Sequence, residues 1–114
     1  FEIREEGRQL MEANARKFGA PGINALIGDF LEADLSGLPA PEAVFIGGHG
    51  GRLVEMLRRI DNVLLPGGVV VFNAVSAQSR QLFRDGIAAI GRRITGEMNV
   101  TINQFNPITI LKAE

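Results

Sequence analysis

The 114-residue chain contains no cysteine and a single histidine, His49. Without thiols there is no disulfide framework and no thiolate metal site. One imidazole is too few for a zinc enzyme, so no metal is expected. Charge of one sign is also lacking: 12 basic residues stand against 13 acidic ones, for a net charge of -1. That balance gives no electrostatic case for nucleic acid or an anionic membrane as partner. No apolar run approaches the roughly 18 residues that a membrane span needs. The opening Phe1-Glu2-Ile3-Arg4 lacks the basic start and apolar stretch of a signal peptide. A cytoplasmic protein is the default expectation. An initiator methionine is missing as well, so a trimmed or partial product is expected.

What is present is a hydrophobic fraction of 46%, enough for one core in a single domain over residues 1–114. Short apolar runs alternate with helical periodicity, the mark of an α/β fold with a mostly parallel sheet. Phe1 to Ile3 reads as the end of a strand. Residues 5–18 read as a helix with Leu10, Met11 and Phe18 on one face and Gly19 as its stop. Ile23 to Ile27 is a short strand, and residues 30–42 are a loop or short helix. Ala43 to Ile46 is a strand that runs straight into Gly47-Gly48-His49-Gly50-Gly51.

A second helix is predicted from about Arg52 to Val63. Leu53, Met56, Leu57, Ile60 and Leu64 fall on one stripe of it. Pro66-Gly67-Gly68 is a turn, and the continuous apolar run Val69 to Phe72 is a strand buried on both faces. Residues 78–90 form a third helix capped by Ser76, with Leu82, Phe83, Ile87 and Ile90 inward. Ile94, Gly96, Met98, Val100 and Ile102 then alternate with polar residues, as in a two-faced strand. The short connection Asn103 to Pro107 leads to Ile108-Thr109-Ile110-Leu111. A link that short joins antiparallel neighbours, because a parallel crossover needs a dozen residues or more.

Three helix-separated parallel strands closed by an antiparallel hairpin resemble the layout of class I S-adenosylmethionine (SAM)-dependent methyltransferases, a Rossmann-like sandwich. The junction Leu64-Leu65-Pro66-Gly67-Gly68-Val69 resembles the L-x-P-G-G turn before that family's fifth strand. The finer match is Phe45-Ile46-Gly47-Gly48-His49-Gly50-Gly51 with the later Phe72-Asn73-Ala74-Val75. This pair resembles the F-I-G-G-S-G-G and I-N-A-V motifs of the precorrin-6Y methylases of cobalamin biosynthesis, in particular their decarboxylating component. His49 stands where many members carry serine. Asn106-Pro107-Ile108-Thr109-Ile110 resembles the family's last strand. The resemblance spans essentially the whole chain. It also implies a first strand, a Gly-rich cofactor loop and a helix ahead of Phe1, so the fold is expected to lack its first strand and helix. The chain is therefore expected to be a fragment; the alternatives are that the flanking strands pair directly or that another chain fills the gap.

The candidate residues follow from position and resemblance together. Glu2 ends a strand, where ligands of such sheets bind. It reads as an exposed surface acid or, as the resemblance implies, as acceptor for the cofactor's ribose hydroxyls. Gly28-Asp29-Phe30 follows the next strand. Asp29 reads as a turn residue or cap, or, by resemblance, as the acid beside the adenine with Phe30 against the ring. Gly47 is expected at the cofactor. Gly48, His49, Gly50 and Gly51 are expected at the substrate, because absent side chains admit a planar ligand and free N–H groups can take up its carboxylates. The plainer reading of the stretch is a tight turn starting a helix, and of His49 an exposed loop histidine. Asn73 either terminates its strand or fixes a substrate group. Arg52, Arg58 and Arg59 meet propionates or solvent. The spacing is not a dinucleotide fingerprint.

No catalytic residue is assigned. Methyl transfer from an activated sulfonium asks chiefly for in-line positioning. The implied activity is SAM-dependent methylation coupled to decarboxylation of a tetrapyrrole precorrin, by an enzyme expected to form homo-oligomers. The alternatives are another class I small-molecule methyltransferase, or a non-catalytic Rossmann-like fragment that binds partners and no cofactor.

Overall fold

The computed structural model describes residues 1–104 and 107–114. Asn106, the first residue of the proposed final-strand motif, therefore lies outside the described residues. The chain packs as two compact units, Phe1–Leu38 and Pro39–Glu114.

In the first unit the only helix among the described residues is α1, Gly7–Lys17. Arg16 and Lys17 complement the negative end of its dipole. Gly19, at φ +62°, ends the helix in the left-handed conformation that glycine adopts without strain. The face expected to be core is not covered: Leu10 and Phe18 are exposed, and Met11 is half-buried. The reason is local, since the unit has no second helix or ladder to lay across that stripe. The two short strands expected at Phe1 to Ile3 and Ile23 to Ile27 reduce to one parallel bridge, Glu2 with Ile27. Glu2 N donates to Leu26 O at 3.0 Å, and Gly28 N donates to Glu2 O at 2.9 Å. Pairing stops there because the chain turns at once. Arg4 N donates to the Glu2 carboxylate, and Gly7 N donates to Arg4 O.

The second unit holds a four-stranded sheet in the order β1-β2-β4-β3, formed by β1 (Ala43–Ile46), β2 (Val69–Ala74), β3 (Ile94–Val100) and β4 (Ile108–Ala113). β1 and β2 are parallel, and the crossover between them carries α2 (Leu53–Val63). The expected antiparallel hairpin β3–β4 forms. In addition β4 inserts beside β2, so a second antiparallel ladder joins the hairpin to the parallel pair. β2 is longer than its apolar run suggested. It continues through Asn73, which pairs with Ile110, to Ala74 opposite Thr109. β3 stops at Val100, and a register irregularity between Ile94 and Gly96 breaks the expected alternation. Met98 and Ile102 stand exposed in consequence.

One face of this sheet is the core. Alternation along β2 buries Val70, Phe72 and Ala74, and Leu111 and Ala113 of β4 join them. Leu53, Leu57 and Ile60 of α2 are buried, as their spacing predicts, while Met56 is half-buried. α3 (Ala77–Ala89) contributes Phe83 and Ile87. Phe72 and Phe83 stack with ring centroids 5.0 Å apart. Gly86 brings α3 close to α2, since a Cβ there would lie 2.6 Å from Leu57 Cδ1. The predicted cap at Ser76 is a reciprocal capping box: Ser79 N donates to Ser76 Oγ, and Ser76 N donates to Ser79 Oγ. Arg92 ties the end of α2 to the turn before β2 by bonding Asp61 at 2.6 Å and Gly68 O at 3.2 Å.

Candidate functional site

In the first unit, four of the residues singled out by sequence come together around the Glu2–Ile27 bridge. Gly28 is bonded to Glu2 through the main chain, and the rings of Phe1 and Phe30 meet edge to face with centroids 5.3 Å apart. Asp29 Oδ1 accepts from Leu31 N at 2.9 Å, and its carbonyl accepts from Glu32 N and Ala33 N. Asp29 therefore does shape the turn, as the plainer reading had it. Its carboxylate is fixed beside Phe30 by that same bond.

Glu2 is held by a partner that sequence reasoning missed. Arg4 donates to Glu2 Oε1 from its backbone N and from Nε, both at 2.9 Å, and to Oε2 from Nη2 at 3.1 Å. The Arg4 side-chain hydrogen bonds, helped by its backbone N–H, hold the Glu2 carboxyl down to about 2. The carboxylate is thus ionised and acceptor-only. Gly7 was missed as well: a Cβ there would overlap Glu2 Cγ and lie 3.1 Å from Cδ. The one available signal was a glycine in the first helical turn, where almost any other residue makes a better helix.

In the second unit, Gly47 to Gly51 leave the C-terminal end of β1. Ile46 is opposite Phe72 in the parallel register, so the loop and Asn73 emerge at the same end of adjacent strands. This is the edge at which open α/β sheets bind ligands. Gly50 and Gly51 take φ of +55° and +83°, a conformation in which other residues are strained. Around Gly48, Gly50 and Gly51 the space a Cβ would occupy is open. His49 is half-buried rather than exposed. Its Nδ1 accepts from Gly51 N at 3.0 Å, and its ring meets Phe72 edge to face at 5.9 Å. The imidazole therefore pins the loop it sits in. Asn73 is half-buried on the face opposite Phe72. Arg52 is engaged with Glu55 at 2.8 Å on the surface of α2.

A parallel β-α-β pair extended by an antiparallel hairpin, with a glycine-rich loop at the carboxyl end of the first strand, defines a Rossmann-like α/β domain of the methyltransferase type. The profile of the precorrin methyltransferase domain matches residues 1–112, and the chain belongs to that family. It is 37% identical, over 108 residues, to a precorrin-6Y C(5,15)-methyltransferase [decarboxylating] of Sinorhizobium sp. The alignment covers 95% of this chain and 25% of that protein. Among solved structures, the precorrin-6Y C5,15-methyltransferase of Geobacter metallireducens GS-15 superposes with a TM-score of 0.85 at 28% identity, covering 99% of this chain and 64% of that one. The C-terminal domain of the Rhodobacter capsulatus precorrin-6Y C5,15-methyltransferase gives 0.68 at 27% identity, covering 97% and 64%. The chain thus spans about a quarter of the length of the curated relative it matches.

The residues present suit an adenosyl cofactor. Glu2 supplies an ionised acceptor for hydroxyl donors, Phe30 an apolar ring, and Asp29 a second carboxylate beside it. No helix among the described residues is long and apolar enough to cross a membrane.

Proposed function

We propose that this chain is the adenosyl-recognising and substrate-facing part of a SAM-dependent methyltransferase that methylates and decarboxylates a precorrin-6Y-type tetrapyrrole. The observation that carries this reading is the 37% identity, along nearly the whole chain, with a decarboxylating precorrin-6Y methyltransferase.

In this reading Glu2 accepts from the ribose hydroxyls, and Asp29 and Phe30 meet the adenine by its amine and its face. Held by Glu2, Asp29 and Phe30, SAM would supply an activated methyl group for a substrate carbon, with the sulfonium sulfur keeping the electron pair of the broken bond. The chain's own residues orient and shield. The Gly47 to Gly51 loop, kept open by its glycines and fixed by the His49 bond to Gly51, presents main-chain N–H groups to substrate carboxylates. Asn73, at the same end of the sheet, offers an amide. Loss of carbon dioxide leaves an electron pair that the conjugated macrocycle accepts, so no side-chain base is needed. Self-association through the exposed edge strand β3 belongs to the same reading, and sedimentation at rising concentration tests it.

The direct test is to incubate the full-length protein with SAM and a precorrin-6Y-type substrate and to follow the product mass. Gain of a methyl group with loss of carbon dioxide is expected. Methylation of other small molecules without any on the tetrapyrrole would favour a different class I enzyme.

A further inference from the structure

The Glu2 carboxylate is already saturated on one oxygen. A carboxylate offers about four lone-pair sites. Oε1 takes two donors from Arg4, the backbone N and Nε, and Oε2 takes a third, Nη2. No more than one site remains, on Oε2, and the Ile3 backbone N–H also leans on the carboxylate. A vicinal diol presents two O–H donors, so both cannot be accepted while the guanidinium stays. The Arg4 side chain is 69% exposed and that of Glu2 24%. An ion pair on that surface is weak and easily exchanged. The backbone bond from Arg4 N is different, because it is part of the turn that starts α1. Gly7 is buried against the Glu2 side chain, and a Cβ there would overlap Glu2 Cγ.

We infer that the Arg4 guanidinium is a displaceable internal stand-in for the ribose diol, while Gly7 and the Arg4 backbone amide form the fixed seat of Glu2. The two side-chain N–H donors of the guanidinium sit where two hydroxyls would donate. Before binding they satisfy the carboxylate oxygens that the diol would otherwise find open. On binding, the guanidinium swings into solvent and vacates one acceptor site on each oxygen, and the two hydroxyls of the diol take those sites. This inference rests on the proposed adenosyl binding and adds the group that competes with it.

The test titrates S-adenosylhomocysteine and its 2′,3′-dideoxy analogue into the full-length protein and two variants, Arg4→Gln and Gly7→Ala. Arg4→Gln keeps the backbone amide and removes the fork. It should tighten binding of S-adenosylhomocysteine by about threefold and leave the dideoxy analogue unchanged. Gly7→Ala displaces the Glu2 side chain. It should weaken S-adenosylhomocysteine by about tenfold or more and abolish the preference over the dideoxy analogue. Weaker binding by Arg4→Gln would overturn the inference and make the guanidinium a fixed positioning partner. An unchanged preference in Gly7→Ala would likewise remove the seat. Failure of the unaltered protein to bind either nucleoside would instead bring down the adenosyl reading itself, and this inference with it.

Discussion

The two units of the chain are ordered by different physics. All the buried hydrophobic residues of the described chain lie in Pro39–Glu114, although Phe45, Val75, Met98 and Ile102 stand exposed there. In Phe1–Leu38 the one fully buried residue is Gly7, while Phe1, Ile3, Leu10, Phe18 and Ile23 stand exposed. Its order comes from main-chain bonds, the Arg4–Glu2 fork and the Asp29 turn. The contrast separates apolar burial from polar ordering. Apolar burial carries the fold in the second unit. The first unit buries little apolar surface within this chain and is ordered by polar and main-chain bonds around Glu2 and Asp29.

The stacked aromatic pair supplies the two largest fully buried side chains of the second unit. Phe83 is fully buried against Phe72, so Phe83→Ala should cost about 3–5 kcal/mol in urea unfolding. A loss below about 1 kcal/mol would mean that the second unit is not held by this core. Ser76→Ala removes the oxygen that caps α3. It should cost about 1 kcal/mol, read by the same unfolding curves.

Substitution on the exposed face of the first unit should be almost silent. Phe18→Ala removes a ring that is 72% exposed and should change stability by less than about 0.5 kcal/mol. A larger loss would show that this face is covered in solution.

The gentlest perturbation is pH. The Glu2 carboxyl sits at about 2, below its ordinary 4.5. Its contribution to folding is therefore fully present above about 4.5 and is lost as pH falls toward 2. Carboxyl-detected NMR titration should place the Glu2 midpoint near the lower figure, and Arg4→Gln should move it up toward the ordinary value. A midpoint that stays low without the guanidinium would assign the shift to the backbone bonds alone.

Much of the second unit was legible from sequence because its signals are physical necessities of burial. The stripe Leu53, Leu57, Ile60 and Leu64 is buried as its spacing demands, and Ser76 caps the helix it precedes. The insertion of β4 between β2 and β3 was not legible, because local pattern shows that a hairpin forms and not which side of it docks. The first unit misled by the same logic. Leu10 and Phe18 have the spacing of a core face, and spacing alone does not say whether an element lies opposite. The candidate residues were placed by resemblance, and their neighbours by geometry. Glu2 and Asp29 were named, whereas Arg4 and Gly7 came to notice only through the distances around Glu2.

Adenosyl recognition by the cluster around Glu2, as proposed, has a residue-by-residue signature. An amide-resolved NMR titration of the full-length protein with S-adenosylhomocysteine tests it most directly. Shift changes should concentrate at Glu2, Arg4, Gly28, Asp29 and Phe30, with the Arg4 side-chain Nε–H moving to its solvent-exposed position. Saturable binding that leaves those five residues unmoved would contradict it.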